Sequence, residues 1–180
     1  GGGVADREDI GLTNFGLKVV AEMNRVGMLV DGSHVGYRTT LDMLEHSTAP
    51  VIFTHQGCYA LRPHIRNVRD DQIKLCAAKG GVIGITSAGF YLGGEPTVEL
   101  FFRHVDHVVQ LVGPEHVGLG LDYLADPEPL RQFIQARPDE WPGVEQGAWS
   151  PIEFFAPEDT PHLTEYMLRH GYPESAVRGI

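Results

Sequence analysis

At 180 residues, 42% hydrophobic and 21% charged, the chain is long enough for one globular domain with a sizeable core. A formal net charge of −10, from 24 acidic against 14 basic residues without a Lys/Arg stripe, argues against nucleic acid as a partner. No apolar run approaches the roughly 20 residues that cross a bilayer, no basic-then-apolar leader opens the sequence, and two cysteines, Cys58 and Cys76, are too few for a disulfide framework.

Residues 1–12 read as loop, with three glycines followed by Asp6, Glu8 and Asp9. From Thr13, a helix is expected up to Gly27, because Thr13 or Asn14 can cap it and Phe15, Val19, Val20, Met23 and Val26 recur at helical spacing. Met28–Asp31 is a short apolar strand, followed by a helix over Tyr37–His46 and a second strand over Val51–Thr54. A loop holding Arg62, His64 and Arg66 leads to a helix over Asp70–Lys79, stopped by Gly80 and Gly81 before a third strand, Val82–Thr86.

Gly89, Gly93, Gly94 and Pro96 mark another loop. Val98–Val112 then reads as a helix with Val105, Val108, Val109 and Val112 on its buried stripe and Arg103, His104 and His107 on or near its polar side. A fourth strand, Val117–Leu121, ends at Asp122, and Gly118 and Gly120 within it make no dinucleotide fingerprint but permit close backbone approach. Residues 123–158 break the rhythm with prolines, both tryptophans and little periodicity, and read as a long loop that forms a lid or substrate wall. Helices over Glu158–His170 and Pro173–Gly179 close the chain.

Strict alternation of helix and strand predicts a parallel α/β sheet with right-handed crossovers. Four βα units amount to half of a (β/α)8 TIM barrel, and half a barrel leaves two raw sheet edges. Residues 1–180 are therefore expected to be a single partial domain, the C-terminal portion of such a barrel, with both termini inside a larger domain.

In such a sheet the chemistry gathers at the C-terminal ends of the strands. There the sequence places His34, His55, Thr86 or Ser87, and Asp122. Two imidazoles and a carboxylate suit a hydrolytic zinc site, in which the metal lowers the pKa of bound water towards 7. The spacing is loose, so on residues alone structural or substrate-binding histidines account for the pattern equally well. Arg66, in the loop after His55, can clamp a carboxylate or phosphate through two parallel hydrogen bonds, although a surface arginine is the commoner case. His46, His104, His107, His162 and His170 fall on helices and His116 at the opposite edge; Cys58 has no base to make it a nucleophile.

Taken together, GLTNFG and EMNRVGMLVDGSH (11–34), APVIFTHQ and PHIRN (49–67), KGGVIGI (79–85) and DHVVQLVGPEHVGLGLDY (106–123) resemble the membrane dipeptidase (renal dipeptidase) family of zinc peptidases. The closing GYPESAVRGI is similar to the family's approach to its C-terminal segment. The resemblance implies a (β/α)8 barrel of the metallo-dependent hydrolase type with two zinc ions bridged by a glutamate. It implies that His34 and His55 are the two histidines of one zinc, that Arg66 binds the substrate carboxylate, and that Asp122 handles the proton of the attacking water. The implied substrates are dipeptides, including those with a D-residue on the C-terminal side.

The chain departs from the family in lacking the N-terminal half, which carries a His-x-Asp pair, the bridging glutamate and a histidine that assists at the carbonyl. The one His-x-Asp here, His104-Val105-Asp106, lies on a helix, and Gly32 stands where the family usually carries leucine or another larger residue. Half of the metal ligands are thus expected to be absent, and the chain alone to be inactive. Two other readings stay open: a non-catalytic truncated relative that binds a small molecule or partner, and a barrel hydrolase acting on another amide or ester. Homo-oligomerisation is compatible with either, and a bacterial parent would place the chain in the cytoplasm.

Overall fold

The structure of the chain, a computed structural model, describes residues 2–180. Helix α1 (Asn14–Val26) begins where the Gly16 N–H donates to the Thr13 hydroxyl at 3.1 Å and ends at Gly27. The alternation then runs β1 (Val30–Asp31), α2 (Tyr37–His46), β2 (Val51–Gln56), α3 (Asp70–Ala78) and β3 (Ile83–Ile85). A short α4 (Gly89–Leu92) precedes α5 (Val98–Val112), β4 (Val117–Leu119), α6 (Glu128–Gln135), α7 (Thr160–Arg169) and α8 (Glu174–Val177).

All four strands are parallel, in the order β1-β2-β3-β4, so each crossover helix returns the chain to the same sheet. Val30, Val51, Phe53, Ile83, Ile85 and Val117 from the strands pack against helix residues such as Leu44, Ile73, Phe101, Val105 and Val108 in one core. Truncating a side chain as enclosed as Phe53 costs about 3–5 kcal/mol in cores of this kind.

The sheet has one irregularity. Phe53 pairs with Ile83, yet Gln56 pairs with Ile85, so β2 carries one residue more than β3 over this step. The Thr54 carbonyl bulges towards the neighbouring strands, and glycines make room for it: a Cβ on Gly120 would lie 1.8 Å from that oxygen and one on Gly84 2.3 Å. The close approach expected in the fourth strand is therefore made by Gly120 to the Thr54 backbone.

Several elements differ from expectation. Strand β1 has two residues rather than four, because Met28 and Leu29 are exposed at the sheet edge. The loop expected after the third strand contains α4, whose four residues are all buried. Residues 123–158 contain α6: Pro127 and Pro129 read as breakers, but both sit at the helix start, where a missing N–H costs nothing. That segment closes on α4 to make a second apolar cluster, with Phe90, Tyr91, Ile134, Trp149 and Ile152 buried in it. His104 is fully buried rather than polar-facing, its Nδ1 accepting from the Cys58 N–H at 2.9 Å and its Nε2 meeting the Leu92 carbonyl at 3.0 Å. Among the described residues no helix is long and apolar enough to cross a membrane.

Candidate metal and substrate site

The bulge in β2 re-aims the end of that strand. It turns His55 towards His34, which leaves β1 two residues after Gly32 in a left-handed conformation (φ 64). The two Nε2 atoms stand 2.8 Å apart, with ring centroids 4.9 Å apart. Asp122, beyond β4, also has positive φ (54) and brings a carboxylate oxygen to 4.0 Å from the His55 Nε2. Arg66, buried in the loop before α3, places its Nη2 at 2.8 Å from the His34 Nε2 and donates from Nε to the Tyr91 hydroxyl at 3.1 Å. Its Nη1 is buried without a protein acceptor.

His34, His55, Asp122 and Arg66, separated by up to 88 residues in sequence, thus meet at the C-terminal edge of the sheet. Thr86 and Ser87 do not join them at the surface, since both are fully buried beneath the edge. Among the described residues no group of three or more His, Cys, Asp or Glu side chains is arranged to hold a metal, so His34 and His55 make a pair of candidate ligands. Burial pulls His34 down to about 4, assisted by the Arg66 guanidinium and by His55; burial likewise lowers His55. Both imidazoles are therefore neutral near pH 7, the form that coordinates metals.

Three further residues belong to the site and were not singled out from sequence. Asp31, the last residue of β1, accepts from the Thr54 hydroxyl at 2.6 Å, and Thr54 in turn lies 2.9 Å from the His55 Nδ1. Burial opposes ionisation of Asp31, but hydrogen bonds from Thr54 and Ser33 outweigh it and hold the carboxyl below its usual range. Tyr91, on α4, anchors Arg66. The only sequence signal for Asp31 and Thr54 was their adjacency to strand ends that already carried a histidine.

Beside the histidines opens a cavity of about 220 Å³ whose walls are mostly apolar, including Tyr91, Leu130, Ile134, Trp141 and Phe154, with His34 and Asp122 as its polar groups. Cys58 plays no part, being fully buried with its thiol pushed up by that burial.

The sequence matches the family described as membrane dipeptidase (Peptidase family M19) over residues 2–135. It is 40% identical over 131 residues to an uncharacterized dipeptidase of Schizosaccharomyces pombe, an alignment covering 71% of this chain and 31% of that protein. The fold is similar to that of an amidohydrolase from Pseudomonas aeruginosa, with a TM-score of 0.78 and 29% identity over 99% of this chain and 56% of the other. It is also similar to a metallo peptidase from Rhodobacter sphaeroides liganded with a phosphinate mimic of the dipeptide L-Ala-D-Ala, with a TM-score of 0.73 and 29% identity over 99% of this chain and 46% of the other. The chain thus spans about half the length of these solved structures and under a third of the curated relative, and its sheet is four βα units of their (β/α)8 barrel.

Proposed function

The chain belongs to the membrane dipeptidase family, and from that premise we propose that it carries half of the metal site of a zinc-dependent dipeptidase. The observation that carries this reading is the convergence of the His34 and His55 Nε2 atoms beside Asp122 and Arg66.

The residues fit zinc as a partial donor set. Two imidazole nitrogens on a tetrahedral zinc at about 2.0–2.1 Å would stand roughly 3.3 Å apart. The observed 2.8 Å differs from that by an amount that small side-chain rotations can absorb. His34 and His55 would hold the ion, and the remaining ligands come from outside these residues, since protein zinc sites ordinarily use three or four. The exposed apolar residues Phe15, Met28 and Leu29, along α1 and the β1 edge, are where the rest of the barrel packs in this reading.

When bound, zinc supplies a water acidified towards neutral pH and a Lewis acid for the scissile carbonyl. This chain's residues contribute in three places. Asp122 accepts the proton of the attacking water and returns it to the departing amine. Arg66 receives the dipeptide's free carboxylate on its uncommitted Nη1 and on Nη2, released from His34, while Tyr91 fixes the guanidinium through Nε. The apolar cavity takes a substrate side chain and keeps bulk water out, with residues 123–158 as its lid or wall. The ligand of the Rhodobacter sphaeroides relative, a mimic of L-Ala-D-Ala, supports including dipeptides with a D-residue at the C-terminal side among the substrates.

The test is Arg66→Ala in the assembled dipeptidase. Dipeptides with a free carboxylate should lose about 10²-fold or more in kcat/KM, as for removal of a charged hydrogen bond worth roughly 3 kcal/mol. C-terminally amidated dipeptides should change far less; an equal loss on both would contradict the clamp.

A further inference from the structure

We infer that Asp31 and Thr54 act as a relay of positioning residues that holds His55 in its Nδ1–H tautomer and leaves its Nε2 lone pair aimed at His34. The inference deepens the metal-site reading above and rests on it for its purpose, though not for its geometry.

The proton positions follow from which groups can donate. The Asp31 carboxylate is acceptor-only, and it takes three hydrogen bonds: the Thr54 hydroxyl at 2.6 Å, the Thr54 N–H at 3.1 Å and the Ser33 N–H at 2.9 Å. The single proton of Thr54 Oγ1 therefore points at Asp31, at 2.6 Å, in preference to the Ser33 hydroxyl at 3.3 Å. Thr54 Oγ1 can then offer the His55 Nδ1, 2.9 Å away, only a lone pair, so Nδ1 carries the hydrogen. A neutral imidazole with a proton on Nδ1 has none on Nε2. Across the gap the Arg66 guanidinium, donor-only, points Nη2 at the His34 Nε2 from 2.8 Å, so His34 also presents a lone pair there.

Neither Nε2 therefore carries a proton, and with the two atoms 2.8 Å apart the pair can take a cation once Arg66 Nη2 turns away from His34. The strand register supports the relay, because Asp31 pairs with Ile52 on β2 and the bulge just beyond turns the Thr54 N–H and hydroxyl onto the same carboxylate. A carboxylate behind a metal-binding histidine commonly fixes its tautomer directly. Here the carboxylate acts through a hydroxyl.

The experiment is long-range ¹H–¹⁵N correlation NMR of the metal-free chain at about pH 7.5, where histidine is mainly neutral, followed by zinc titration of the same samples. Wild type should show His55 protonated on Nδ1. Thr54→Val, which keeps shape and removes the hydroxyl, should shift His55 towards Nε2–H and lower zinc affinity about 10–100-fold. Thr54→Ser should restore both. Should Thr54→Val fail to fold, Thr54→Ala gives the same readout. An Nε2–H tautomer in wild type, or an unchanged tautomer in the hydroxyl-free variants, would overturn the relay. The Nδ1–H tautomer in a wild type that binds no zinc would uphold the relay and count against the metal-site reading instead.

Discussion

His34 and Asp122 are the two non-glycine residues with positive φ among the described residues, and both sit in the site at the ends of strands. A left-handed backbone costs an L-residue roughly 1–2 kcal/mol, less for Asp and His than for most others, and persists where surrounding structure holds it. The strain at Asp122 can be isolated by comparing two variants that both remove its carboxylate. Asp122→Gly should be about 1 kcal/mol more stable than Asp122→Ala, read from urea unfolding; equal stability would mean the turn is unstrained. At this scale the sequence was legible where residue type and strand end coincided: His34, His55, Asp122 and the loop residue Arg66 do converge. Asp31, Thr54 and Tyr91 escaped notice because their places depend on side-chain partners on other elements, which periodicity does not encode.

The bulge in β2 shows how an element can position a site without announcing itself. VIFT reads as a regular strand ending before His55, and only the paired register, which carries β2 on to Gln56, reveals the additional residue that turns His55. Gly84 and Gly120 were visible, but their partner, the Thr54 carbonyl, was not. Helix α6 stayed hidden because its proline-led start looks like loop and its apolar stripe, Leu130 with Ile134, spans little more than a turn. Gly32, where the family usually carries a larger residue, has a local explanation: a Cβ there would lie 2.7 Å from the Phe53 ring. Gly32→Ala should therefore destabilise the chain by about 1–3 kcal/mol through overpacking. In a Phe53→Leu background the penalty should largely vanish, and strict additivity in the double-mutant cycle would contradict this account.

For the molecule as a whole, the buried histidines make stability depend on pH. His104 is held near 4 by burial, and His64 likewise by burial together with Arg62 and Arg66, against an ordinary value of 6.5. Between those values the unfolded chain binds protons that the native chain does not, so stability is complete above about pH 6.5 and declines as pH falls towards 4. His104 alone contributes up to about 3 kcal/mol of that decline. The urea midpoint should fall over this window and less steeply in His104→Gln; a flat profile would show that the histidines protonate without cost. The alternation that gave a parallel sheet was legible because apolar strands and capped helices write themselves into local sequence. The second cluster around Trp149 was not, since it joins α4 to residues some 60 positions later.

The central claim, that this chain presents half of a zinc site through His34 and His55, is tested most directly by zinc titration of the purified chain alongside His34→Ala and His55→Ala, with dipeptide hydrolysis assayed on the same samples. The account predicts one weakly held zinc per chain, lost in either variant, and no turnover. Two tightly bound zincs with turnover, or zinc binding unchanged in both variants, would contradict it.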